Sequence, residues 1–159
     1  MLLFKKSRSV LLALLLASLF PVHTQSQTPE SGGVQAGAHD PAAFVGISLN
    51  ELIRSFGIPR LVYVARGAEL WQDDVVFVYE QGDFYIYRDR VWQVGISAVR
   101  GIKIGDPHGV ISLIMGPNAV AHGDSFFYPL HGNPWPLMLR WDIDSAGNVQ
   151  GIFIFRSDL

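Results

Sequence analysis

The sequence predicts an α+β fold made of two tandem repeats. Each repeat is expected to be one short helix followed by a four-stranded antiparallel meander, with the helices on one face of the sheets. Two glycines 11 residues apart, followed by a proline, occur twice, at Gly46 and Gly57 and again at Gly105 and Gly116. Four strand-like runs bounded by turn residues come after each pair. We therefore predict that residues 44–98 form the first αβ repeat and that the remainder forms the second, 99–159.

A capping box predicts the first helix. Ser48 and Glu51 have the S-x-x-E spacing, in which the hydroxyl accepts a first-turn N–H and the carboxylate accepts the N–H of the cap residue. Gly57 is expected to end the helix in a left-handed conformation. The apolar residues between these ends have helical spacing: Leu49, Leu52, Ile53 and Phe56.

The second helix is predicted from a different start signal. Asp106 is expected to cap it, and Pro107 suits its first position. Residues 110–115 are apolar on nearly every side of a helix, so this helix is expected to be the more buried of the two.

The first 26 residues predict export. Lys5, Lys6 and Arg8 precede an apolar run of about 11 residues at 10–20, which is too short for a bilayer that needs about 20 but suits a secretory signal. A buried N-terminal helix is the alternative. The protein is therefore expected to be periplasmic or secreted, with no stable membrane insertion after signal cleavage. The polar, Gly- and Pro-rich residues 27–43 are expected to be a flexible linker.

Composition excludes several classes of protein. A chain with 49% apolar and 16% charged residues is not disordered throughout. The absence of Cys excludes disulfides, Cys-rich zinc sites and a thiol nucleophile. Without the signal, nine Lys and Arg face 14 Asp and Glu, and a net charge of −5 argues against a nucleic-acid partner. No cofactor is expected.

The second half carries a pattern that resembles a known superfamily. The residues of this pattern are Gly105, Met115-Gly116-Pro117, Phe127-Tyr128, Leu139-Arg140-Trp141-Asp142, Gly147, Val149 and Ile152. It is similar to the superfamily shared by the outer-membrane-assembly lipoproteins of the SmpA/OmlA (BamE-like) type and the β-lactamase inhibitor proteins. The resemblance covers about residues 44–156, and the tandem arrangement is closer to the inhibitor proteins.

That resemblance implies protein binding by a sheet face or its hairpins, without naming a target. The inhibitor proteins use disulfides, which this chain cannot form, and their inhibitory loops have no counterpart here, so inhibition of β-lactamase is not carried over. The assembly lipoproteins are lipid-anchored and usually single units, whereas this chain has no Cys to carry a lipid.

An open sheet face is the candidate binding site. Side chains alternate between the two faces of a strand, so if Phe84, Ile152 and Ile154 face the core, their neighbours face outward. The predicted partner-binding residues are Tyr85, Tyr87, Gln93, Arg140, Phe153 and Phe155. A surface rich in Tyr, Phe and Arg has the composition of a protein interface; burial between the repeats or cross-strand pairing is the alternative. We expect a non-enzymatic module that binds a protein partner in the cell envelope or outside, as an assembly factor, complex subunit or enzyme inhibitor.

Two other functions remain open at this point. A small-molecule or lipid carrier would use apolar space between the two sheets. A metal-dependent hydrolase would use His122, Asp124 and His131, but neither H-E-x-x-H nor G-x-S-x-G is present, and no catalytic residue or metal ligand is predicted. Trp71 and Trp135 lie in loop-like segments and are expected either to contact a ligand or to fold back onto the domain.

Overall fold

The computed structural model describes residues 40–67 and 73–159. The predicted signal, residues 1–26, lies outside the described residues, as do Trp71 and most of the predicted linker.

The last residues of the predicted linker belong to a folded turn. Pro41–Phe44 forms a single 3-10 turn, and the carboxylate of Asp40 accepts a hydrogen bond from the N–H of Ala42 at 3.0 Å. Ala42 is buried in the hydrophobic core, so the chain is already packed at this point.

Helix α1 spans Leu49–Phe56, and the predicted capping box is confirmed. The Ser48 hydroxyl accepts the N–H of Glu51 at 3.2 Å, and the Glu51 carboxylate accepts the N–H of Ser48 at 2.8 Å. The hydrogen bond from the Ser48 backbone is the largest of the effects that lower the pKa of the Glu51 carboxyl. The contribution of the capping box to stability is therefore fully present above the ordinary glutamate pKa, and it is lost as the pH falls through the lowered pKa of Glu51.

Replacing Ser48 with alanine is expected to lower the free energy of unfolding by about 1 kcal/mol, because the Glu51 N–H loses its acceptor. Urea denaturation at neutral pH measures this change. Ser55→Ala is the matched control, since Ser55 lies inside the same helix and its hydroxyl donates only to the carbonyl of Glu51; that substitution is expected to be neutral or slightly stabilising. Equal losses for the two variants would contradict the capping role of Ser48.

Helix α2 spans Gly109–Met115 and starts differently from the prediction. His108 holds the cap position without a side-chain capping hydrogen bond, since its Nδ1 lies 2.9 Å from the Gly147 carbonyl oxygen, whereas the Asp106 carboxylate accepts the N–H of Lys103 at 2.9 Å. The capping role predicted for Asp106 is therefore wrong. The prediction that α2 is the more buried of the two helices is confirmed, because α2 buries Ile111 and Met115 whereas α1 buries Leu52. Its outer side is nevertheless open, with Leu113 83% exposed. None of the helices in the described ranges is long and apolar enough to cross a membrane.

Eight strands form one antiparallel sheet in the order β1-β2-β3-β4-β10-β9-β8-β7. Their bounds are β1 Leu61–Ala65, β2 Asp74–Val78, β3 Asp83–Tyr87, β4 Arg90–Ile96, β7 Val120–His122, β8 Ser125–Leu130, β9 Leu137–Ile143 and β10 Val149–Arg156. Strands β5 (Ala98–Val99) and β6 (Ile102–Lys103) form a separate small hairpin. Strand β1 is one border of the large sheet, and its side chains from Leu61 to Val64 are all exposed.

The predicted fold class of two helix-plus-meander repeats is wrong. Strands β4 and β10 pair directly, with Ile152 opposite Ile96 and Phe155 opposite Gln93. One continuous sheet therefore dominates residues 40–67 and 73–159, where two short α-helices accompany it. The physical reason is that two separate four-stranded sheets would leave four open edges, whereas a single sheet leaves two. This sheet includes strands from both sides of the boundary predicted after residue 98.

The core lies on the face of the sheet that the helices cover. Leu52 of α1 and both Ile111 and Met115 of α2 belong to the same buried cluster as the strand residues. Those strand residues include Phe84, Val94, Leu139, Trp141, Ile152 and Ile154. Since side chains alternate along a strand, the residues between them form the second face of the sheet.

Candidate binding surface

The face of the sheet opposite the helices carries two rows of side chains that cross the strands. One row consists of Tyr63, Val76, Tyr85, Gln93, Phe155 and Met138. The next row consists of Asp83, Gly95, Phe153, Arg140 and Phe127. Residues directly opposite each other on antiparallel strands share a face, so the register itself brings these side chains together.

Four rings and one guanidinium form a connected group within these rows, which we call the aromatic face: Tyr85, Phe127, Arg140, Phe153 and Phe155. The ring centroids of Tyr85 and Phe153 are 6.2 Å apart, and those of Phe127 and Phe155 are 6.4 Å apart, both edge to face. The Arg140 guanidinium carbon lies 4.6 Å from the Phe153 centroid and 5.6 Å from the Phe155 centroid. Arg140 therefore links the two ring pairs through cation–π contacts.

An ion pair helps to hold Arg140 in place. Its Nε lies 3.0 Å from Oδ1 of Asp142, and that oxygen also accepts the hydroxyl of Ser125 at 2.7 Å. The side chains of Arg140 and Asp142 are 28% and 26% exposed. The Nε–H has no hydrogen-bond partner within the described residues, so the contact with Asp142 is electrostatic and lacks hydrogen-bond geometry. The guanidinium is consequently fixed by rings and charge together, and it stays partly open to a partner.

Tyr85 is a neutral phenol over the physiological range of pH. Burial is the largest cause that raises the pKa of its hydroxyl well above the ordinary value, and the neighbouring Tyr63 raises it further. Tyr63 lies in the same row, with Val76 of β2 between it and Tyr85. The two phenols therefore extend the aromatic face toward strand β1.

The six predicted site residues do not all join this group. Four of them belong to it and are half-buried: Tyr85 contacts Phe153, and Arg140 contacts Phe153 and Phe155. Gln93 lies in the first row but is only 5% exposed. Tyr87 is exposed at the end of β3, where the guanidinium carbon of Arg88 lies 5.1 Å from the centroid of its ring. Gln93 is thus beneath the surface, and Tyr87 stands apart from the aromatic face.

Sequence reasoning did not find Phe127 or Tyr63. Phe127 is the middle of three consecutive aromatic residues in β8, so alternation alone could not tell which one points away from the core. Tyr63 lies in a strand that is apolar at every position. Only the pairing of Phe127 with Arg140 and of Tyr63 with Val76 places them on this face.

A groove of about 310 Å³ opens at the edge of the aromatic face, and we call it the Asp83 groove. The rings of Tyr85 and Phe153 line it, together with Asp83 and the backbone of Gly95 and Gly151. A Cβ on Gly151 would lie 2.7 Å from the Phe153 ring, so the glycine is what allows this ring to lie against the strand. Burial raises the pKa of the Asp83 carboxyl, and this side chain makes no ion pair or hydrogen bond within the described ranges.

The histidines of the described residues do not form a candidate metal site. Within residues 40–67 and 73–159 there is no group of three or more His, Asp or Glu side chains that could hold a metal ion. His122 and Asp124 are exposed at the β7–β8 turn, and His131 is exposed after β8. Asp144, in the next turn, accepts the N–H groups of Ala146 and Asn148. The carboxylate of Asp144 therefore stabilises the turn in which this residue lies.

Trp135 folds back onto the domain. The Arg156 guanidinium carbon lies 4.0 Å from the Trp135 ring centroid, and this guanidinium donates two hydrogen bonds to the carboxylate of Asp158 at 2.9 and 2.8 Å. The indole also covers Gly46, where a Cβ would overlap its Nε1. We expected Trp135 either to contact a ligand or to fold back onto the domain, and the structure supports the second alternative.

Comparison with known proteins identifies no family. No protein-family model matches the chain, and no curated protein matches it. One similar solved structure is a cysteine-rich secretory protein from Staphylococcus aureus subsp. aureus Mu50, with 16% identity over 73% of this chain and 46% of that one, at a TM-score of 0.44. Another is an extracellular protein containing an SCP domain from Bacillus anthracis strain Ames, with 13% identity over 82% and 50% of the two chains, at a TM-score of 0.48.

The chain thus spans about half the length of these solved proteins. Both are described as secretory or extracellular, and neither is a BamE-like assembly lipoprotein or a β-lactamase inhibitor. The expected resemblance to that superfamily, and with it the tandem repeat, is wrong: the strands assigned to two repeats form one continuous sheet, and no family model matches the chain.

Proposed function

We propose that this chain is an exported, non-enzymatic module that binds another protein through the aromatic face. The partner is a protein of the cell envelope or of the medium, and the chain acts on it as an assembly factor, a complex subunit or an inhibitor. Export is inferred from the cationic start and apolar run of residues 1–26.

The observation that carries this proposal is the partly open cluster of rings around Arg140. Residues that dominate protein interfaces are most often Trp, Tyr and Arg, placed centrally and surrounded by contacts that exclude water. Arg140 lies between Phe153 and Phe155, within 5.6 Å of both ring centroids, and Tyr85 and Phe127 flank them.

Preorganisation supports the same proposal. Ordering a flexible side chain at an interface costs about 0.5–1.5 kcal/mol. Arg140 is already held by Asp142 and by two rings, and Phe153 is already seated against Gly151. A partner therefore meets a surface whose main contact groups need little further ordering, so less binding free energy is lost to side-chain ordering on association.

Site-specific crosslinking in the native host tests the proposal. A photoreactive p-benzoylphenylalanine at Phe155 is expected to give a discrete adduct with one partner protein. The same group at Leu113, which is 83% exposed on helix α2, is the matched control and is expected to give none. Adding Arg140→Ala to the Phe155 probe is expected to lower the adduct yield roughly tenfold, which corresponds to about 1.4 kcal/mol.

Three outcomes would count against the proposal: no adduct at Phe155, equal adducts at both positions, or a yield that Arg140→Ala does not change. The carrier alternative relied on space between two sheets, and the described residues form one large sheet instead. No observation favours the hydrolase alternative over protein binding.

A further inference from the structure

We infer that the Asp83 groove receives an arginine side chain of the partner protein. This inference rests on the proposed function, because the groove borders the aromatic face and shares the rings of Tyr85 and Phe153 with it. It adds the chemistry of the partner: a protruding segment that carries a guanidinium.

Charge is the first step of the argument. The charged side chains that line the groove are Glu80 and Asp83, both acidic. Glu80 is neutralised by Arg60, whose guanidinium lies 3.2 Å from its carboxylate, and both are highly exposed. Asp83 is partly desolvated with no cation paired to it in the part of the chain that the structure describes. An unpaired, partly buried carboxylate gains most from an incoming cation, because the desolvation cost has already been met on folding.

The rings are the second step. Asp83 and Tyr85 are two residues apart on β3 and therefore point to the same face of the sheet. Gly95, on the neighbouring strand β4, pairs with Asp83 on one side and with Phe153 of β10 on the other. The groove thus offers a carboxylate beside two aromatic rings. A planar guanidinium can stack on a ring and donate two parallel hydrogen bonds to a carboxylate, whereas a lysine ammonium does neither as well.

The described residues twice bring together a ring, a guanidinium and a carboxylate of their own, once with two hydrogen bonds and once as an ion pair alone. Arg156 stacks on Trp135 at 4.0 Å and donates two hydrogen bonds to Asp158. Arg140 lies over Phe153 at 4.6 Å and pairs with Asp142 at 3.0 Å. Around Asp83 the carboxylate and the Tyr85 ring are both present, and no guanidinium of the described residues pairs with this carboxylate, since Arg140 lies over Phe153 and pairs with Asp142.

The size of the groove agrees with a side chain rather than a large ligand. Its volume of about 310 Å³ is at the lower limit of ligand pockets, which span roughly 300–1,000 Å³. A metal ion is a poorer occupant, because a single uncompensated carboxylate cannot supply the several oxygen ligands that hard cations need. A neutral sugar could stack on the rings, but it would leave the Asp83 charge unpaired.

An NMR titration of the purified ¹⁵N-labelled protein tests this inference. N-acetyl-argininamide is the probe, and the amide signals of Gly82, Gly95 and Gly151 report on the groove. Saturable shifts with a Kd on the order of millimolar are expected for so small a ligand. N-acetyl-citrullinamide has nearly the same shape without the charge, and it is expected to bind at least about fivefold more weakly. Three results would overturn the inference: equal shifts for both probes, tighter binding of the neutral sugar chitobiose than of N-acetyl-argininamide, or no shift with any probe.

Variants make the assignment specific. Asp83→Asn is expected to weaken binding of N-acetyl-argininamide at least about fivefold, while Asp124→Asn, at the exposed β7–β8 turn, is expected to leave it unchanged. Asp83→Asn is not expected to impair folding, since the carboxylate makes no hydrogen bond within the described residues.

The two experiments separate the inference from the proposed function. If adducts still form at Phe155 but Asp83→Asn binds the probe normally, the arginine inference fails and the proposed function stands. If the probe binds through Asp83 but no adduct forms at Phe155, the groove binds a guanidinium, whereas the proposed binding of a protein through the aromatic face fails.

Discussion

Replacing Trp141 with alanine is expected to lower the free energy of unfolding by about 3–5 kcal/mol, the range for deleting a large buried aromatic side chain. Trp141 is the largest fully buried side chain of the described residues, and it lies within β9. Ile152 of β10 and Phe126 of β8 are directly opposite it. Removing the indole therefore opens a cavity between three strands, and urea denaturation measures the loss.

Trp141→Phe is the informative companion variant. The indole N–H has no hydrogen-bond partner within the described residues, so losing it sacrifices no protein contact. The phenyl ring refills much of the volume, and a cost below about 2 kcal/mol is expected. If phenylalanine costs as much as alanine, the indole N–H makes an important interaction and the reasoning from volume is wrong.

Gly46→Ala is expected to cost at least about 2 kcal/mol. The residue has φ = 97°, a conformation that costs a non-glycine residue roughly 1–2 kcal/mol, and the new methyl group would also overlap the Trp135 indole. The backbone cannot shift freely to relieve this overlap. Its N–H donates to the Val91 carbonyl at 2.7 Å, and its carbonyl accepts from Arg90 at 2.8 Å.

Gly57→Ala separates the two causes. Gly57 has a similar φ of 76°, but a Cβ there would meet no described atom within 4 Å, so only the backbone cost of about 1 kcal/mol is expected. Thermal or urea unfolding of both variants measures the difference. Equal costs would show that Trp135 moves aside freely, and the packing of this indole on Gly46 would then be unimportant for stability.

Local structure was predictable where a few neighbouring residues determine it. The capping box of α1 needs only Ser48 and Glu51, and both hydrogen bonds form as the spacing predicts. The start of α2 was mispredicted, because Asp106 had a competing partner in the N–H of Lys103, and that alternative turn is invisible in a list of favourable cap residues.

The architecture was not predictable, because it depends on one long-range pairing. Nothing in the local pattern of β4 or β10 indicates that Val94 will lie opposite Ile154, so the halves were treated as separate sheets. The candidate site shows the same limit. Alternation placed Tyr85 and Phe153 on the correct strand face, but the depth of Gln93 depends on what covers it, and Phe127 was found only from its register with Arg140.

Strand β1 has a practical consequence for handling the protein in solution. Its five residues are uncharged, and every second backbone N–H and C=O points away from the sheet, free to pair with another copy of the chain. The excess of acidic residues keeps molecules apart at low ionic strength, and added salt screens that repulsion within a few ångströms. We therefore expect concentrated stocks to aggregate least at low ionic strength, which light scattering over a series of salt concentrations measures.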